Sequence, residues 1–69
     1  MDTIQVGQIW QDKQSGDQII IVHMPPAWTA DTWIMVQRVR RNGEWLRAVD
    51  EEARHYMVSE SELRGEYIK

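Results

Sequence analysis

Four arginines, Arg38, Arg40, Arg41 and Arg47, crowd around a single Asn42-Gly43 dipeptide, with Trp45 among them. A guanidinium group grips a carboxylate or a phosphate through two parallel hydrogen bonds. An indole ring offers a flat face on which a base can stack. Alternate residues of a strand share a face, so Arg38 and Arg40 are expected to project together. Arg47 then lies opposite or diagonal to them on the return strand, with Trp45 beside it. The plainer use of such residues is to keep a hairpin edge soluble and to pair with Glu44 and Asp50 across the ladder. A second group is aromatic. Four Trp and two Tyr in 69 residues are more ring than one small core hides. Trp10 is expected inside. Trp28, which follows Pro25-Pro26, is expected at least partly at the surface, the alternative being that it folds back over the core. Trp33 opens the next strand. Exposed Trp and Arg are the residues most enriched at the energetic centres of protein interfaces. The candidate partner-binding set is therefore Trp28, Trp33, Arg38, Arg40, Arg41, Trp45 and Arg47.

The residues that catalysis needs are sparse. The chain has no cysteine, no glycine-rich phosphate loop and no paired metal ligands. A nucleophile wants an adjacent base, and a general acid or base wants a tuned pKa. His23 and His55 fall at strand ends, where histidine is usually structural. Asp50, Glu51 and Glu52 are consecutive, without the alternating spacing of a calcium loop, and read as a solvated connection. No enzyme activity, no cofactor and no metal are expected. A DNA-mimicking role for the acidic end is disfavoured because Arg54, Arg64 and Lys69 interrupt its carboxylates.

Net charge is −3 and is unevenly spread. Residues 1–37 sum to −3, residues 38–47 to +3 and residues 48–69 to −3. Overall acidity ranks nucleic acid below an acidic protein surface as the target of the arginines. No apolar run approaches the roughly 18 to 20 residues that span a bilayer. The polar start, Met1-Asp2-Thr3-Ile4-Gln5, is not expected to act as a signal peptide. Together with the missing cysteines, this leads to a cytoplasmic expectation.

The elements that must carry these residues are mostly strands. Val6–Gln11 reads as the first strand, followed by a turn at Gln14-Ser15-Gly16-Asp17. In Gln18–Met24 four consecutive β-branched residues disfavour helix and fit a strand covered on both faces. Pro25-Pro26 ends it, and an irregular stretch follows to Asp31. Thr32–Arg40 and Glu44–Asp50 flank Asn42-Gly43, the signature of a type I′ hairpin. His55–Val58 is a further strand. Ser59 to Gly65 reads as one helical turn, capped by Ser59 with Glu62 and ended by Gly65. Glu66–Lys69 closes the chain. The whole, residues 1–69, is one mainly-β domain: a five- to six-stranded SH3-like barrel with a helical turn before the last strand, an OB-like barrel being the alternative.

Two segments, Val6-Gly7-Gln8-Ile9-Trp10-Gln11-Asp12 and Val58-Ser59-Glu60-Ser61-Glu62-Leu63-Arg64-Gly65-Glu66-Tyr67, resemble the ends of small SH3-like proteins encoded by phages and prophages. The stretch from His23 to Arg54 carries none of the resemblance. The likeness implies an accessory protein that works in a bacterial host's cytoplasm by binding, and modulating or inhibiting, a host protein, defence proteins included. A homo-oligomer built by edge-to-edge strand addition is compatible with it.

Overall fold

The computed structural model describes residues 4–24 and 33–69. The expected irregular stretch at Pro25–Asp31, Trp28 included, lies outside the described residues. The chain is mainly β: six strands form one antiparallel sheet, with a short helix and a 3-10 turn. The strands are β1 (Ile9–Asp12), β2 (Gln18–His23), β3 (Trp33–Arg41), β4 (Glu44–Trp45), β5 (His55–Ser59) and β6 (Tyr67–Ile68); the helix is α1 (Glu60–Glu66). β3 is the spine. It pairs with β2 along one side and with β4 and β5 along the other. β1 joins β2, and β6 returns to pair with β1. Among the described residues no ladder joins β5 to β6, so the sheet curls without closing into a complete barrel.

The core lies on one face of this sheet. Trp10, Ile19, Ile21, Ile34, Val36 and Val58 alternate inward along β1, β2, β3 and β5, and Ile4, Leu63 and Tyr67 close over them. Trp10 is buried as expected, and its Nε1 donates to Gln8 Oε1 at 3.1 Å, which satisfies the indole inside an apolar setting. Leu63 is fully buried. At seven residues α1 is too short to hold itself together, so this one side chain docks it. The Ser59 hydroxyl caps α1 by accepting from Glu62 N at 3.1 Å. Gly65 does not end the helix, which runs on to Glu66 before Tyr67 turns extended.

Two turns follow their sequence signals. Asp12 Oδ1 accepts from Gln14 N and Ser15 N, and Gly16 takes φ +80°. Asn42 and Gly43 take φ +52° and +82°, the two positive values of a type I′ turn. Two strand expectations are corrected. Val6-Gly7 is a turn with Gly7 at φ +95°, so β1 starts only at Ile9. The return strand stops at Trp45 rather than Asp50. Asp50 Oδ2 accepts from Arg47 N at 2.8 Å while Asp50 N donates to Arg47 O at 3.0 Å, and this local turn replaces the ladder.

Candidate functional site

The face of the sheet turned away from the core is built from the other half of the strand alternation. Trp33, Met35 and Gln37 project there from β3, because Ile34 and Val36 point inward. Register then fixes their neighbours. Met57 stands opposite Met35, Ser59 opposite Trp33 and His55 opposite Gln37. On the other side Ile20 stands opposite Gln37, and Ile9 of β1 opposite Ile20. Trp33 is 51 % exposed, Met57 46 % and Ile9 43 %. Ile20 and Met35 are half-buried between them. A five-residue apolar band, broken by Gln37 beside Ile20 and His23 beside Met35, therefore crosses the open face. Clustered exposed apolar residues mark sites where macromolecules dock, whereas single ones are ordinary.

A bulge carries the hairpin onto the same face. Ile19 pairs with Arg38, but Gln18 pairs with Arg40, which leaves Val39 as an extra residue. The alternation shifts by one at that point. Arg38 stays on the core side, and Arg40 is turned to the outer side with Gln18. Arg40 also pairs with Trp45, and its guanidinium sits 5.1 Å from the centre of the Trp45 ring. Arg40 Nε donates to Gly43 O at 3.1 Å, fixing the side chain against the turn. Trp45 is 64 % exposed. Trp33 and Trp45 thus mark the two ends of the outer face. Arg40 lies seven residues along β3 from Trp33, roughly 23 Å.

The four arginines do not form the single patch expected. The bulge separates Arg38 from Arg40. Arg38 lies over the Tyr56 ring at 5.7 Å, and its Nε is buried without a hydrogen-bond partner. Arg41 pairs with Glu52. Arg47 lies beyond the end of β4, 4.0 Å from Asp50, so the stacking neighbour of Trp45 is Arg40 rather than Arg47. The consecutive acids separate in the same way. Asp50 serves Arg47, Glu51 pairs with Arg54 at 3.5 Å and Glu52 with Arg41. Among the described residues no three of His, Asp and Glu are grouped to hold a metal ion.

Tyr56 and Tyr67 meet with their hydroxyls 3.4 Å apart at the edge of the core. Burial pushes the Tyr67 phenol well above its ordinary value. The bond to Tyr56 and the nearby Asp12 carboxylate push the same way, and Arg38 opposes them. This pair stabilises a neutral phenol and offers no base. Two open grooves border the C-terminal end of α1. One, of about 230 Å³, is lined by Asp12, Lys13, Gln14, Gly65 and Glu66, and Lys13 Nζ is already bound to Gly65 O there at 3.1 Å. The other, of about 300 Å³, lies between Trp10, Lys13, Arg64 and Tyr67 near the end of the chain.

The sequence reading reaches Trp33, Arg40 and Trp45, takes Met35 and Met57 for core filling rather than surface, and does not single out Ile20 and Ile9. The available signal was the run Ile19-Ile20-Ile21-Val22, which makes both faces of β2 apolar and leaves one face in need of a cover. No family model matches the sequence, and no curated protein or solved structure matches the chain.

Proposed function

We propose that the protein is a non-enzymatic protein-binding module that docks another protein on the outer face of its sheet. The observation that carries this reading is the band from Ile9 to Met57, an exposed apolar surface with an indole at each end of the same face. Burying Trp33, Met57 and Ile9 against a partner removes apolar area from water at roughly 25 cal/mol per Å². Arg40, held over Trp45, gives the polar end of the site a fixed donor for a partner carboxylate. Nucleic acid is the weaker reading. Arg41 and Arg47 already face Glu52 and Asp50, so little of the basic stripe remains to track a phosphate backbone.

The two terminal segments that resemble phage proteins extend the proposal to the kind of partner. The protein is an accessory factor of a phage or other mobile element, and it modulates or inhibits a protein of the bacterial host in the cytoplasm. Among the described residues no helix is long and apolar enough to cross a membrane. Capture from bacterial lysate with the wild type, Trp33→Ser and Met57→Lys tests the reading. Enrichment of one host protein by the wild type, lost in both variants, supports it. Equal enrichment by the variants overturns the assignment of the face.

A further inference from the structure

The chain has six arginines, and five of them are engaged. Arg40 donates to Gly43 O, while Arg41, Arg47, Arg54 and Arg64 face Glu52, Asp50, Glu51 and Glu60. Arg38 differs. Among the described residues it has neither a carboxylate nor a hydrogen-bond acceptor, and its Nε is buried. A guanidinium stays charged and carries five N–H donors, so burying one of them unmatched is costly. Register explains the placement. Arg38 follows Ile34 and Val36 on the core side of β3, where the core ends. Tyr56 stands opposite Val36, diagonal to Arg38, and its ring lies under the guanidinium at 5.7 Å. Tyr56 then meets Tyr67 of β6, hydroxyl to hydroxyl at 3.4 Å, across the seam where no ladder joins β5 to β6. Two phenols bonded to each other use one O–H and leave the other to donate elsewhere. A cation and a phenol O–H thus stand together at the open seam, and no acceptor among the described residues takes either.

We propose that Arg38, Tyr56 and Tyr67 bind a carboxylate at this seam, the guanidinium gripping it through its fork and a phenol donating a further hydrogen bond. The charge count selects the ligand. One guanidinium balances one negative charge. Arg54, which precedes β5, is matched by Glu51 at 3.5 Å and adds no free cation. Asp12 pairs with Tyr67 in the β1–β6 ladder and sets a carboxylate beside the site. It does not serve Arg38 itself, because its Oδ1 is held by Gln14 N and Ser15 N in the turn. A dianionic phosphate would gain from one cation and be repelled by Asp12, so a monoanion suits the site. Tyr67 remains a neutral donor, since burial raises its pKa. Arg38 lowers it, which puts the guanidinium within electrostatic reach of that phenol. Arg38 lies on the core side of β3, so the inference does not depend on which protein docks on the outer face.

Nuclear magnetic resonance of the arginine Nε–H groups tests it, with sodium acetate replacing sodium chloride at constant ionic strength. The Arg38 signal is expected to shift and saturate with a Kd of about 1–10 mM, while the other five arginines stay nearly still. Arg38→Lys keeps the charge but loses the fork, and is expected to weaken binding at least about fivefold, read from the Tyr56 and Tyr67 ring signals. Tyr67→Phe is expected to weaken it about threefold, with circular dichroism confirming that both variants are folded. A parallel titration with N-acetylalanine separates the sources. Tighter binding than acetate assigns the carboxylate to a peptide end, equal binding assigns it to a small free acid, and either supports the site. No shift at Arg38 up to about 100 mM acetate overturns the proposal. So do equal shifts at all the arginines, acetate binding unchanged in Arg38→Lys, or inorganic phosphate at about pH 8, where it is a dianion, binding more tightly than acetate.

Discussion

Trp10 faces the core and Trp33 the outer side of the same sheet, so truncating each to alanine separates core from surface. Trp10 is 4 % exposed and Trp33 51 %. A tryptophan side chain buries about 150–250 Å² when fully enclosed. About half of that, roughly 100 Å², is covered at Trp33, which at about 25 cal/mol per Å² is roughly 2.5 kcal/mol. An unfolded chain that is already partly compact lowers this to about 1.5–2 kcal/mol. Trp10→Ala leaves a cavity and loses the indole hydrogen bond to Gln8 Oε1, so about 3–5 kcal/mol is expected. A domain of this length is stable by roughly 3–10 kcal/mol. Trp33→Ala therefore remains folded, and Trp10→Ala loses about twice as much stability. Urea titration followed by far-ultraviolet circular dichroism measures both. Equal losses of stability would show that Trp33 is a structural tryptophan and that the outer face is not free.

Three further outcomes follow from the same structure. Tyr67 has a raised pKa in the fold, so the folded state holds its proton after the unfolded state has lost it. Its contribution is complete below the ordinary tyrosine value of 10.0 and falls as pH rises above it, at about 1.4 kcal/mol per pH unit. Chemical denaturation between pH 9 and pH 11 is expected to show this extra fall in the wild type relative to Tyr67→Phe, and parallel curves would contradict it. Gly43→Ala forces an L-residue to φ +82° and is expected to cost about 1 kcal/mol, read as a lower urea midpoint at unchanged slope. Ser59→Ala removes the acceptor for Glu62 N and is expected to cost about 1 kcal/mol, with the earliest loss of amide protection in α1.

The parts of the fold visible in the sequence are those with local causes. The β-branched run of β2, the positive-φ pair Asn42-Gly43 and the Ser59 cap each act within a few residues, and each stands as expected. What was not visible depends on partners distant in the chain. Val39 is an extra residue only because Ile19 and Gln18 pair across from Arg38 and Arg40, and nothing in the sequence of β3 announces it. That single insertion decides that Arg40 joins Trp45 on the outer face while Arg38 goes to Tyr56. The early end of β4 has a local cause, the Asp50 carboxylate, but the hairpin signal of Asn42-Gly43 masks it by inviting a long return strand. The apolar band was half legible. One strand's alternation shows that a face is apolar, and only the register shows that Ile9 stands beside Ile20 and Met35 beside Met57, with Gln37 and His23 between the two pairs.

Site-specific photocrosslinking asks most directly whether the outer face is the docking surface. A benzophenone side chain replaces Trp33 in one variant and Val49 in another, Val49 being 82 % exposed in the turn beyond β4. Irradiation in bacterial lysate is expected to join the probe at residue 33, and not the probe at residue 49, to one discrete host protein. Crosslinks of equal yield from both positions, or from residue 49 alone, would contradict it.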